Sequence, residues 1–438
     1  MAAPDVFAQI LDYTNRPNPY PLYAELRKTP VARQADGSYV VSTYREIEEL
    51  LHDPRISSDR RNGPQEADAA AEEAEEVLGG FIAVDPPEHD RLRRLAMRQF
   101  GPPHTPNRID AMQPELVEIV TDLIDGFAGK TQVDLVDDFT YPYPVTVICR
   151  LLGVPREDEP RFHVWADAIV EAIGARGENA AELRRQSNQA FAQLGEYLAG
   201  LADARRHEPG DDLLSGLVTD DGPEGRMSRE ELMATGALLL FAGHETTVNL
   251  IANGMLTLLR HPDVLGRLRR EPELAIRLVE ELLRYEPPVQ FLPNRFALDD
   301  VEIAGTTIPA GSPIILVLAS GSRDPEHVRD PDRFNPDRFD PDRFGLARDD
   351  DQHLGFGGGI HYCFGAPLAR LEAQIALSEL ARRLEHPRLL VDPPPYRPNP
   401  VLRGPRHLPI EFDQVAPAQP TATTRRNAPE KEPSVHGG

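Results

Sequence analysis

Four short stretches of the sequence bring together residues able to do chemistry. The first is Phe356-Gly-Gly-Gly-Ile-His-Tyr-Cys-Phe-Gly365, which holds Cys363, one of two cysteines in the chain. With Cys149 far away in the sequence, no disulfide framework can be built around it. Gly357, Gly358 and Gly359 leave the backbone free to approach something flat and large. Gly365-Ala366-Pro367 then opens a helix-forming run. Cys363 therefore stands at the positive end of a helix dipole, where a thiolate is favoured. A lone thiolate on a glycine loop suits single axial ligation of a metal better than zinc chelation. A buried cysteine in a turn before a helix would leave the same trace.

The second stretch is Ala242-Gly243-His244-Glu245-Thr246-Thr247. It interrupts an apolar helix with an acid and two threonines, which are costly in a core unless the site uses them. His244-Glu245 begins an H-E-x-x-H zinc motif, but Val248 stands where the second histidine belongs, which excludes that reading. The third stretch places His89 and Arg93 four apart on one helix face. That pair is either an exposed basic face or a set of donors for buried carboxylates. The fourth holds Glu281 and Arg284, spaced three apart, which is the ordinary spacing of a helix salt bridge.

The elements that must position these residues follow from periodicity and caps. Helical spacing covers residues 21–27 and 44–52, with a strand at 37–42 between them. Residues 62–80 read as a solvated helical face. Asp85 is a plausible N-cap for the helix carrying His89 and Arg93. Residues 134–153 read as helical, with Cys149 in the core. Helices at 161–172 and 180–206 flank Gly174-Ala175-Arg176-Gly177. Ser228 and Glu231 form a capping box at the head of a helix of about 32 residues, about 48 Å long, ended by His261-Pro262. A helix that long and apolar crosses the middle of a domain. A further helix begins at Pro272, and Val289 to Arg295, Val301 to Ile303 and Ile314 to Val317 are strand-like. Asp330 to Phe344 repeats Pro-Asp-Arg-Phe three times, the extra copy reading as an outward surface bulge.

Composition limits what the chain can be. Its 438 residues, 40% hydrophobic, can bury a large core as one domain or two. Forty-seven basic against 71 acidic residues give −24, a poor balance for binding nucleic acid. The 43 prolines exclude a coiled coil. Lysine occurs only at Lys28, Lys130 and Lys431, the arginine bias of a high-G+C bacterial genome. Residues 1–20 hold no apolar run of signal or anchor length, and two distant cysteines fit a reducing compartment. The expectation is a soluble, cytoplasmic protein without a membrane anchor. Residues 1–415 read as one folded domain, and 416–438 as a disordered tail rich in Pro, Ala, Thr and charge.

The stretch around Cys363 resembles the haem-binding signature of the cytochrome P450 family, F-x-x-G-x-H-x-C-x-G, at Phe356, Gly359, His361, Cys363 and Gly365. The hexapeptide from Ala242 is similar to the family's oxygen-activation motif, A-G-x-[D/E]-T-T, and the resemblance extends from about Pro19 to Asp413. It implies a mainly α fold with small β-sheets (α+β) and a long central helix over haem b (iron protoporphyrin IX). Cys363 would be the iron ligand, pushing electron density towards O–O cleavage. His89, Arg93, Arg295 and His361 would hold the two propionates. Thr246 and Glu245 would be catalytic, in the hydroxyl and acid positions, and Gly243 would leave a dent for dioxygen. Leu239, Ala242, Val289, Phe291 and Leu292 would line the substrate pocket. Glu281 and Arg284 would be structural, completed by Arg338 or Arg343, with spacing from Arg323 favouring Arg338. Phe364 takes a position often aliphatic.

The activity so implied is monooxygenation of an apolar small molecule in secondary metabolism by a monomer. Dioxygen is co-substrate, and NAD(P)H electrons arrive through a ferredoxin and its reductase. A peroxide-driven peroxygenase or a haem-thiolate sensor is the alternative, although neither needs Glu245-Thr246. Arg91, Arg94, Arg98 and Arg370 would form a basic patch for an acidic ferredoxin.

Overall fold

The computed structural model describes residues 5–63, 80–100, 108–172, 179–339 and 352–418. Its axis is the helix Arg229–Arg260, and the capping box is formed as expected. Glu231 N donates to Ser228 Oγ at 3.1 Å, and Ser228 N donates to Glu231 Oε2 at 2.7 Å. Two of the donors that a helix start leaves open are thereby satisfied. Most residues from Leu232 to Leu258 are buried, on every face of this helix, as in a helix through the middle of a domain. Helices Pro142–Leu152, Ala180–His207 and Ala366–Arg383 pack around it. Pro262 cannot prolong the helix and instead opens the short helix Pro262–Arg270.

The main sheet has five strands in the order Val31–Arg33, Tyr39–Val41, Pro313–Leu316, Leu292–Ala297 and Ile56–Ser57. Only the pairing of Tyr39–Val41 with Pro313–Leu316 is parallel. Tyr39 and Val41 face one apolar cluster and Val40 faces another, the alternation of a strand buried on both sides. Three strands (Gln132–Asp134, Pro409–Glu411 and Arg388–Leu389) form a second sheet. The fold is the expected helix-rich one with small sheets.

Several boundaries differ from the sequence reading. Asp85 does not cap the helix Glu88–Phe100 with its side chain; its carboxylate accepts from Ser58 N at 2.9 Å and from Ser57 Oγ at 2.5 Å. Residues 134–153 divide into the end of a strand, a short π-helix at Val136–Thr140 and the α-helix Pro142–Leu152, helical for most of the stretch as expected. Pro142 explains the break, since it lacks the N–H a continuous helix would need. The helix expected from Pro272 begins at Leu274. Ala416 and Pro417 belong to the folded part: Ala416 N donates to Arg383 O at 2.8 Å and Arg382 Nη1 to Pro417 O at 3.3 Å. The expectations for residues 64–79, for the 174–177 connection, for the repeat beyond Phe339 and for the tail beyond residue 418 lie outside the described residues.

Candidate active site

The Cys363 loop is held from both sides. Cys363 N donates to Phe356 O at 3.0 Å, closing the loop on itself. Gly359 has φ +61, and a Cβ there would lie 1.9 Å from Leu51 O, so no other residue fits. Arg93 Nη2 donates to Tyr362 O at 2.6 Å, tying the helix Glu88–Phe100 to the residue before the cysteine. Burial pushes the Cys363 thiol up, while the N–H groups of Gly365 and Ala366, with Arg93 and Arg370, pull it towards thiolate. A metal bound at sulfur would complete that ionisation. Phe364 packs edge-on between Phe81 and Phe100, with centroids 5.2 and 5.0 Å away. Its ring thus fills an aromatic cluster behind the loop.

The four expected propionate donors gather beside this loop. The rings of His89 and His361 are 4.5 Å apart. His361 is pushed down to about 3, by burial first and then by Arg295, His89 and Arg93, which all stand close enough to oppose a charge on it. Burial likewise brings Arg295 down to about 10, with Asp85 partly offsetting it. His89 Nε2 and His361 Nδ1 are buried without a hydrogen-bond partner. A pocket that crowds two cations and two orphaned imidazole nitrogens needs an anion to be satisfied. Two carboxylates beside a sulfur ligand answer that need, so the donor set fits haem.

The central helix opens locally. Phe241, Ala242, Gly243 and Thr246 are half-buried, although the helix before and after them is closed. Thr246 Oγ1 donates to Ala242 O at 2.6 Å. Glu245 is buried: its Oε1 accepts from Asn249 Nδ2 at 3.0 Å and lies 3.0 Å from Arg397 Nε. His244 is fully buried and donates Nε2–H to Tyr141 O at 3.3 Å. Gly243 lies in this opening, where a Cβ would meet Ile148 Cδ1 at 2.7 Å.

The expected pocket residues divide. Ala242 belongs to the opening just described; Leu292 is half-buried at the start of the strand Leu292–Ala297, and Val289 is half-buried just before it. Leu239 is buried within the main core. Phe291, which precedes the strand Leu292–Ala297, packs on Phe7 at 5.8 Å in the N-terminal cluster, apart from the cluster that Leu292 joins.

The structural set comes together. Arg284 donates from Nε to Glu281 Oε2 at 2.7 Å and from Nη2 to Oε1 at 2.8 Å, both side chains being fully buried. Arg338 Nε stands 3.5 Å from Glu281 Oε2, and Arg343 lies outside the described residues.

The basic patch is a correction. Arg91 pairs with Glu231, Arg94 with Glu224 at 3.1 Å, and Arg98 with Asp220 at 3.2 Å and Glu224 at 3.1 Å. Arg370 is bound by Glu280 at 2.6 Å and lies over the Phe356 ring at 4.6 Å. Burial alone would raise Glu280, but hydrogen bonds from His353 and Arg370 bring it down to about 2. Arg397, Asn249 and Glu280 escaped the sequence reading. Asn249, four residues after Glu245, carried a helical-spacing signal; Arg397 carried none.

A helix-rich fold with a cysteine loop beside a cluster of buried donors that fits two carboxylates, and a hydroxyl on an opened central helix, is the arrangement of a haem-thiolate protein. The chain belongs to the cytochrome P450 family, whose model matches residues 6–411, and it is an enzyme of the monooxygenase kind. It is 42% identical over 408 residues to the cytochrome P450 monooxygenase PikC of Streptomyces venezuelae, covering 90% of this chain and 91% of that one. It is 37% identical to the mycinamicin IV hydroxylase/epoxidase of Micromonospora griseorubida, covering 89% and 94%. A crystal structure of P450BioI, in complex with an acyl carrier protein ligated to hexadec-9Z-enoic acid, matches with a TM-score of 0.81 and 34% identity, over 92% of this chain and 99% of that one. No described helix is long and apolar enough to cross a membrane.

Proposed function

We propose that this chain inserts one atom of dioxygen into an apolar small molecule of bacterial secondary metabolism, by hydroxylation or epoxidation. Its electrons come from NAD(P)H through a separate ferredoxin and its reductase, and it works as a cytoplasmic monomer. The observation that carries this reading is the opening at Phe241–Thr246, which sets a half-buried hydroxyl beside an ionisable carboxyl in an otherwise closed helix. The hydroxylase/epoxidase named above supports both the reaction type and the substrate class.

The chemistry supplied by haem held at Cys363 is reductive activation of dioxygen with two electrons and two protons, one oxygen atom going to the substrate and the other leaving as water. His89, Arg93, Arg295 and His361 would hold the propionates with charge-assisted hydrogen bonds. The Gly365 and Ala366 N–H groups hold charge on the sulfur. Thr246 donates its own proton to Ala242 O, which leaves both oxygen lone pairs open to accept from a water or a ligand. Glu245, buried yet paired, is the group beside it able to take up a proton from solvent and release it inwards.

Cys363→His tests the ligand: the long-wavelength band of the reduced carbon monoxide complex should vanish. Candidate substrates are screened by the haem spectral shift they cause, and the best is then turned over with reductant and dioxygen or with peroxide. Product from peroxide alone would replace this reading with a peroxygenase.

A further inference from the structure

Glu245 is held in an unusual way for a buried acid. Its Oε1 is anchored twice, by the Asn249 Nδ2 hydrogen bond at 3.0 Å and by Arg397 Nε at 3.0 Å, off the line of a hydrogen bond. Its Oε2, equally buried, has no partner, and neither has Arg397 Nη2. Arg397 comes from the far end of the chain, on a segment pinned beside the central helix. Arg397 N donates to Gly404 O at 3.0 Å, Val289 bridges to Leu402, and Asn253 Nδ2 donates to Arg403 O at 3.0 Å. A Cβ on Gly404 would lie 2.1 Å from Asn249 Oδ1, so the segment closes on the helix only because that residue is glycine.

We propose that Arg397 is the positioning residue for Glu245, clamping one carboxylate oxygen with Asn249 and leaving the other as the single atom that accepts and releases a proton. This rests on the role given to Glu245 above and deepens it. A carboxylate held at both oxygens would lose a bond each time it was protonated. One held at Oε1 alone can cycle a proton at Oε2 with its anchor intact, and the guanidinium keeps the ionised form affordable in a dry core. Burial pushes Glu245 up; Arg397, the Asn249 hydrogen bond and Arg406 pull it back, and Asp167 pushes it up again. Tyr141 faces the same carboxyl, and His244, next in the chain, is neutral through most of the pH range.

The test reads the carboxyl directly. Infrared spectra of wild type minus Glu245→Gln isolate the Glu245 acid and carboxylate bands, and the same subtraction is made within Arg397→Gln and Arg397→Lys backgrounds, with and without haem. In Arg397→Gln the acid band should persist to a pH at least about one unit higher than in wild type, a tenfold change in the proton equilibrium. Arg397→Lys, which keeps the charge and is the variant to use if the glutamine protein does not fold, should shift it less and broaden the band as Oε1 loses its fixed partner. A band that titrates over the wild-type range in both backgrounds, or in Arg397→Lys alone if only that variant folds, overturns the proposal. The monooxygenase reading fails differently, by absence of coupled product in wild type while the infrared shift remains.

Discussion

Glu281→Gln is the sharpest test of what holds the haem side together. In the wild type, Arg284 is fully buried and gives two hydrogen bonds to Glu281 and others to the carbonyls of Ser322 at 3.3 Å, Pro331 at 2.8 Å and Arg333 at 3.3 Å. The carbonyls solvate the guanidinium but do not neutralise it. Glutamine keeps the shape of Glu281 and an oxygen for Asn335 N, which donates to Oε1 at 2.8 Å, so what is lost is the charge. Stranding one member of a buried pair costs about 3–5 kcal/mol, a large share of the roughly 5–15 kcal/mol that holds a domain folded. Arg338 approaches Glu281 only at 3.5 Å, and Arg338→Gln should cost about 1 kcal/mol, since the buried Glu281 keeps both hydrogen bonds from Arg284. With a urea m-value of about 3 kcal/mol/M, Glu281→Gln should move the first unfolding midpoint down by about 1 M or more, and Arg338→Gln by about 0.3 M. Far-UV circular dichroism and haem absorbance should report the same transition. A Glu281→Gln shift no larger than that of Arg338→Gln would refute the argument that the buried charge dominates.

Thr246→Ala should fold and bind substrate as wild type does, because it loses only the Ala242 hydrogen bond, worth about 1 kcal/mol; the ratio of product to reduced cofactor consumed should fall while peroxide rises, and an unchanged ratio would remove the hydroxyl from the mechanism. His244 is pushed down to about 3, by burial first and then by Arg397 and His163. Its folded pKa lies below the unfolded value of about 6.5, so stability is fully present above pH ~6.5 and is lost as pH falls towards 3, by up to about 1.4 kcal/mol per pH unit. Urea unfolding between about pH 5 and 6.5 should show a shallower slope in His244→Asn than in wild type, and equal slopes would refute the assignment. Reduction by a ferredoxin should depend only weakly on salt, within about twofold from 50 to 300 mM. Arg91, Arg94 and Arg98 already have acidic partners, and the exposed side chains nearest Cys363 in sequence are Ile360 and Tyr362; a tenfold fall in rate would restore a charge-steered interface.

What could be read from the sequence was chemistry confined to one stretch of chain. The Cys363 loop, the capping box at Ser228 and the run Ala242–Thr247 each carry their reason for existing within about ten residues, because a turn, a cap or a helix face is a local object. One boundary shifted at a proline: Pro142 divided the segment after Asp134, whereas Pro262 ended the central helix where the sequence placed its end. The surroundings of Phe291 were hidden because its partner Phe7 sits on the first helix (Val6–Leu11), far away in the sequence. The arginines after Asp85 looked like a free basic face because Glu224, Asp220 and Glu231 arrive from a different part of the chain. The same limit hides Arg397. Nothing about one arginine near the C-terminus marks it, among so many others, as the cation opposite a buried acid of the central helix. Its significance is a property of the closed fold: Gly404 lets the C-terminal segment meet Asn249, and Glu245 meets its cation only once that segment lies against the central helix. The haem-binding motif is therefore legible before folding, while the environment that sets when its neighbouring acid gives up a proton exists only once the C-terminal segment has packed against the middle of the chain.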